Sequence, residues 1–142
     1  LEKRQKELYK SELKSFKKEL EEFKIKSEED LKSITHSTKN ELLVSSANIY
    51  HEIADNSISA STKQNLFYYL VATQYYITAN QYLFADNILD KLLQNNFNEY
   101  LKVGLDDFKN LKSFIETNKN YLETSLMARK FISTLDLNTN DN

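Results

Sequence analysis

The feature that most narrows what this chain can fold into is its near lack of chain-breaking residues: 142 residues hold one glycine and no proline. Sandwiches, barrels and hairpin ribbons turn on Gly and Pro, because tight turns need a positive φ or a pre-set one. Phosphate-cradling loops and dinucleotide folds need two or three glycines at fixed offsets, so the count excludes both. Cysteine is absent too, which removes disulfide frameworks, thiolate zinc sites and cysteine nucleophiles. What remains is an all-α chain. The reading is a long charged N-terminal helix followed by antiparallel helical hairpins, packed as a bundle or short solenoid.

Charge narrows the partners. Lys and Arg number 19 against 21 Asp and Glu, a net charge of −2. Nucleic acid held through its phosphates calls for a clustered cationic face, so no nucleic-acid partner is expected. The longest apolar run, Leu66 to Ala72, is seven residues, whereas crossing a bilayer takes about 20. The chain opens Leu1-Glu2-Lys3-Arg4 without an initiator Met and is read as an internal piece of a longer protein. A targeting or lipid-attachment signal would then lie upstream, and the compartment stays open, with cell surface or periplasm as one expectation.

Composition shifts near residue 36. Residues 1–36 carry ten Lys/Arg and nine Asp/Glu, leaving nine and twelve for residues 37–142. Within the first part Tyr9, Leu13, Phe16, Leu20 and Phe23 step by 4, 3, 4, 3, a narrow heptad seam that ends at Ser27 and Asp30. Two readings stand: a long helix whose seam lies against the domain or is partly solvated, and homo-oligomer or partner pairing through the seam. The expected organisation is a charged amphipathic stem over 1–36, a helical domain over 37–135 and a frayed polar tail over 136–142. Helix-start signals occur at Ser27-Glu28-Glu29-Asp30, Thr38-x-x-Glu41 and Ser61-x-x-Gln64. The first two leave open whether the N-terminal helix continues to residue 54. Breaks are expected at Asp55 to Ala60, Asn80, Gln94-Asn95-Asn96 and Thr117 to Asn120, since Asn tolerates the left-handed conformation that closes a helix.

A shift of 39 residues superposes Leu66, Tyr69, Ala72, Tyr75 and Tyr76 on Leu105, Phe108, Leu111, Phe114 and Ile115. The same shift places Tyr82 and Leu83 on Tyr121 and Leu122, just after an Asn turn in each case. This layout reads as about two and a half helix–turn–helix units. Tyr69-x-x-Ala72-Thr73-x-x-Tyr76, followed by Ala85-x-x-x-Leu89, resembles the tetratricopeptide repeat, mainly over residues 66–93. Thr73 stands where that family has Gly, no Pro closes the unit, and the spacing is 39 rather than 34. The resemblance implies a binding scaffold without catalysis, whose first helices line a concave surface. Carried over, that surface includes Phe67, Leu70, Gln74 and Ile77. A Lys/Glu-rich stem before a Cys-free helical domain is also similar to spirochaetal helical surface lipoproteins. That second resemblance implies a surface-exposed fragment binding a host protein such as a complement component.

Five of nine tyrosines fall between residues 68 and 82, with Tyr68, Tyr75 and Tyr82 seven apart. Tyr joins a large apolar ring to a hydroxyl that wants a partner, which suits half-buried positions and interfaces. Tyr68 and Tyr75 therefore join the candidate partner-binding residues, with core packing as the alternative. His51 and Asp55, four apart, share a helix face, but no second His pair or HExxH pattern completes a metal site. Gly104 lies in a helical pattern without the Ser of a nucleophile turn, and reads either as a point of close helix approach or simply as a cost of about 1 kcal/mol relative to Ala. No cofactor, metal or catalytic residue is expected, only a protein partner.

Overall fold

The structure is a computed structural model that describes residues 2–56 and 61–139. It is all-α, with no strand among the described residues. Six helices follow in order: α1 (Glu2–Asn56), α2 (Thr62–Thr78), α3 (Tyr82–Gln94), α4 (Phe97–Thr117), α5 (Lys119–Thr124) and α6 (Leu126–Thr139). The chain divides into two compact units, Leu1–Lys39 and Asn40–Asn142.

In the first unit every described residue is helical and exposed. The start signals at Ser27 and Thr38 begin no new helix, and α1 continues through both to Asn56. Ending a helix orphans several amides and carbonyls. With neither Gly nor Pro in 1–56, nothing compels that loss. Asp55 and Asn56, expected in a loop, form the end of α1, and 57–60 lie outside the described residues.

The second unit is built from hairpins. Ser61 caps α2 as its sequence foretells: Oγ accepts from the Gln64 amide at 3.2 Å, and Gln64 Oε1 accepts from the Ser61 amide at 3.2 Å. The turn at Asn80 is also where expected. Asn80 takes φ 60°, its amide donates to Ile77, and the Gln81 amide reaches back to the Tyr76 carbonyl at 2.8 Å. This pair of bonds closes the helix and lets α3 return against α2. Asn96, at φ 56°, performs the same change of direction before α4. Asn118 separates α4 from α5 and bonds back to Phe114 through both its amide and its side chain.

α2 packs on α3 and α4, and α3 packs on α6. Between them lies one core: Leu66, Leu70, Tyr76 and Ile77 of α2, Ile88, Leu89 and Leu92 of α3, Phe108, Leu111 and Ile115 of α4, and Phe131 and Leu135 of α6. Phe108 meets Phe131 edge-on at 5.6 Å and stacks on Phe97 at 5.7 Å. Positions 39 apart behave alike in places. Ala72 and Leu111, Tyr76 and Ile115, Leu89 and Ala128, and Leu92 and Phe131 are buried as pairs. The second limb differs at Ser125, where the helix breaks. Ser125 Oγ caps α6 by accepting from the Ala128 amide at 2.9 Å, and donates to Asp86 Oδ1 at 2.6 Å. α6 then continues to Thr139. Residues 136–139 are thus helical, not part of a frayed tail, because Leu135 is anchored in the core and Lys112 donates to Asp136 at 2.6 Å.

Gly104 is the one internal irregularity of α4, with φ −141° and ψ 38°. That φ is open to any residue. What restricts the position is space, because a Cβ there would collide with Leu66 Cδ2. Gly104 thus permits α2 and α4 to approach, the first of the two readings its place in a helical pattern allows.

Candidate functional site

Two groupings in the second unit carry chemistry or open surface. The first joins the end of α1 to α2 and α3. His51 and Asp55 share a face of α1, Nε2 lying 3.3 Å from Oδ2. Lys91 of α3 donates to both Asp55 oxygens at 3.1 Å and approaches His51 Nε2 at 3.0 Å. The Tyr69 hydroxyl donates to Asp55 Oδ1 at 2.7 Å. The Tyr76 hydroxyl donates to Asn48 Oδ1 at 2.5 Å and lies 3.4 Å from His51 Nδ1.

The electrostatics follow from these bonds. Burial, with the Lys91 charge, pushes His51 below its ordinary pKa against the pull of Asp55. Neutral His51 then accepts from Lys91 through Nε2 and donates from Nδ1 to the Tyr76 oxygen. Burial pushes Asp55 up, but the Tyr69 and Lys91 hydrogen bonds and the His51 and Lys91 charges together hold it below the usual carboxylate value. Burial and the Asp55 hydrogen bond push the Tyr69 phenol well up, so it stays a donor. The side chains of His51, Asp55, Tyr69, Tyr76 and Lys91 are each engaged by a neighbour, and the grouping acts as a clasp between helices. Sequence reading paired His51 with Asp55 but missed Lys91, which lies 36 residues beyond Asp55.

Tyr121, Asp86 and Ser125 form a similar internal network. Asp86 Oδ1 accepts from the Tyr121 hydroxyl and from Ser125 Oγ, each at 2.6 Å. Burial and that bond raise the Tyr121 pKa strongly. Among the described residues, no group of three or more His, Cys, Asp or Glu is placed to hold a metal ion.

The second grouping is the outer face of α2. Of the six candidate residues, Leu70 and Ile77 are 5% and 2% exposed and belong to the core. This corrects their placement on a binding surface. They follow Leu66 and Thr73 along a stripe that lies against the neighbouring helices. The stripe of α2 turned away from it by one position runs Phe67, Val71, Gln74 and Thr78, exposed at Phe67 and Thr78 and half-buried at Val71 and Gln74. Phe67 and Gln74 are common to the expected and observed faces. Tyr68 and Tyr75 flank this stripe and are half-buried too, each ring 6.0 Å from Tyr50 of α1.

At the N-terminal end of the stripe, Lys63, Gln64, Phe67 and Tyr68 combine with Asp107 of α4 to line a cleft of about 340 Å³. Phe67 is 53% exposed, its ring edge-on to Tyr68 at 5.7 Å. An aromatic floor with Lys63 and Asp107 beside it offers apolar contact together with one charge of each sign. Sequence reading missed Lys63, Gln64 and Asp107, since nothing local places α4 beside the start of α2. No described helix is long and apolar enough to cross a membrane. No family model matches the chain, and neither a curated protein nor a solved structure matches it.

Proposed function

We propose that the chain is a non-catalytic protein–protein interaction module built of helical hairpins, of the kind the tetratricopeptide resemblance implies. The observation that carries this reading is Phe67 of α2, standing half exposed in a cleft beside Lys63 and Asp107. A rigid aromatic anchor with a charged rim is the arrangement that protein interfaces use at their energetic centres. The polar groupings, by contrast, are consumed in holding helices together.

The test is comparative capture. Wild-type chain, Phe67→Asp and the control Leu83→Ser are immobilised, and bound proteins are quantified by mass spectrometry. Leu83 is exposed on α3, so its change leaves the α2 face intact. The expected result is a protein enriched by wild type and by Leu83→Ser, and lost at least tenfold with Phe67→Asp. Equal capture by all three contradicts the reading.

A further inference from the structure

In the first unit the seam residues Tyr9, Leu13, Phe16, Leu20 and Phe23 are between 42% and 70% exposed. An isolated helix gains nothing by aligning five large apolar side chains in water. What covers them is written in the charges beside them. With Tyr9, Phe16 and Phe23 at heptad position d and Leu13 and Leu20 at a, position e holds Lys10, Lys17 and Lys24. Position g holds Gln5, Glu12, Glu19 and Lys26. The ion pairs of the described residues all lie in the second unit, so these charges are available to a neighbour.

We propose that residues 6–26 pair with the same segment of a second copy as a parallel, in-register two-stranded coiled coil. In that geometry each g residue faces the e residue five positions further along the other chain. Glu12 then meets Lys17 of the second copy, Glu19 meets Lys24, and symmetry doubles both pairs. Antiparallel pairing instead sets e against e and g against g, opposing Lys to Lys and Glu to Glu. Glu12 and Glu19 of the g row are thus the complement of Lys17 and Lys24 of the e row, a match that an unrelated partner does not require. Lys6 at a and Ser27 and Asp30 at a and d bracket the seam and limit it to about three heptads. So short a seam gives a concentration-dependent dimer. This pairing uses none of the α2 face, so it stands or falls independently of the reading above.

The test uses the whole chain. Light scattering over a concentration series is expected to show a mass rising from 16.7 kDa towards twice that value. Glu12→Lys with Glu19→Lys, and separately Lys17→Glu with Lys24→Glu, are each expected to raise the dissociation constant about tenfold or more. Mixing the two variants restores association, because each then supplies what the other lacks. As a check on direction, Lys6→Cys introduces the chain's only thiol, and mild oxidation is expected to link the copies through it. A mass fixed at 16.7 kDa, a mixture that fails to recover association, or a thiol that does not cross-link overturns the proposal.

Discussion

Tyr69 donates its hydroxyl to Asp55 Oδ1 at 2.7 Å, tying the last turns of α1 to the middle of α2. Asp55 is exposed enough to exchange that donor for water. Tyr69→Phe, which keeps the ring, is therefore expected to cost about 1 kcal/mol. Urea unfolding of the two chains measures it.

The same clasp gives stability a pH dependence. His51 lies below its ordinary value of 6.5 when folded, so the unfolded chain binds its proton more readily. The stabilisation is full above 6.5 and is lost as pH falls through the lowered folded value. Asp55 adds a second loss further into acid, below its ordinary 3.8, again because its folded value is depressed. Urea midpoints of wild type are expected to fall in both windows. His51→Gln removes the first decline and leaves the second.

Gly104→Ala is expected to destabilise by about 1–3 kcal/mol, since the added methyl must displace the buried Leu66 side chain. In a Leu66→Ala background the space is already free, so the same change becomes nearly neutral. A double-mutant cycle read by thermal unfolding separates collision from backbone effects.

Leu70→Asp and Ile77→Asp each bury a carboxylate without a partner and are expected to cost more than about 3 kcal/mol. Phe67→Asp, at a half-exposed position that loses its edge-on contact with Tyr68, costs about 1 kcal/mol. Circular dichroism with urea titration distinguishes these outcomes.

Asp86→Ala strands the Tyr121 hydroxyl and one bond of Ser125 inside the α3–α5–α6 junction. The expected loss is about 1–3 kcal/mol. Hydrogen exchange at the start of α6 is expected to rise, because the Ser125 cap loses its brace.

The turns were legible in the sequence because their causes are local. Asn80 closes α2 through its own φ and the two amides beside it, and Ser61 with Gln64 forms a reciprocal cap within four residues. Ser27 and Thr38 carried the same local signals but started no helix, since a cap only rewards a terminus that something else creates. The binding face was harder to read. Leu66 to Ala72 is apolar nearly all round, so helical spacing alone does not choose between the Leu70–Ile77 stripe and the Val71–Thr78 stripe one position away. Packing of α3 and α4 makes that choice. The long-range bonds of Lys91 to Asp55 and of Ser125 to Asp86 have no sequence signal, spanning 36 and 39 residues.

The most direct measurement of the interaction reading places a photo-crosslinking side chain at Phe67 of the α2 cleft, and separately at Asn110, exposed on α4. Irradiation in an extract of the native cells is expected to yield a discrete adduct with one other protein from position 67, competed away by unmodified chain, and none from position 110. No adduct at position 67, or the same adducts from both positions, contradicts the account.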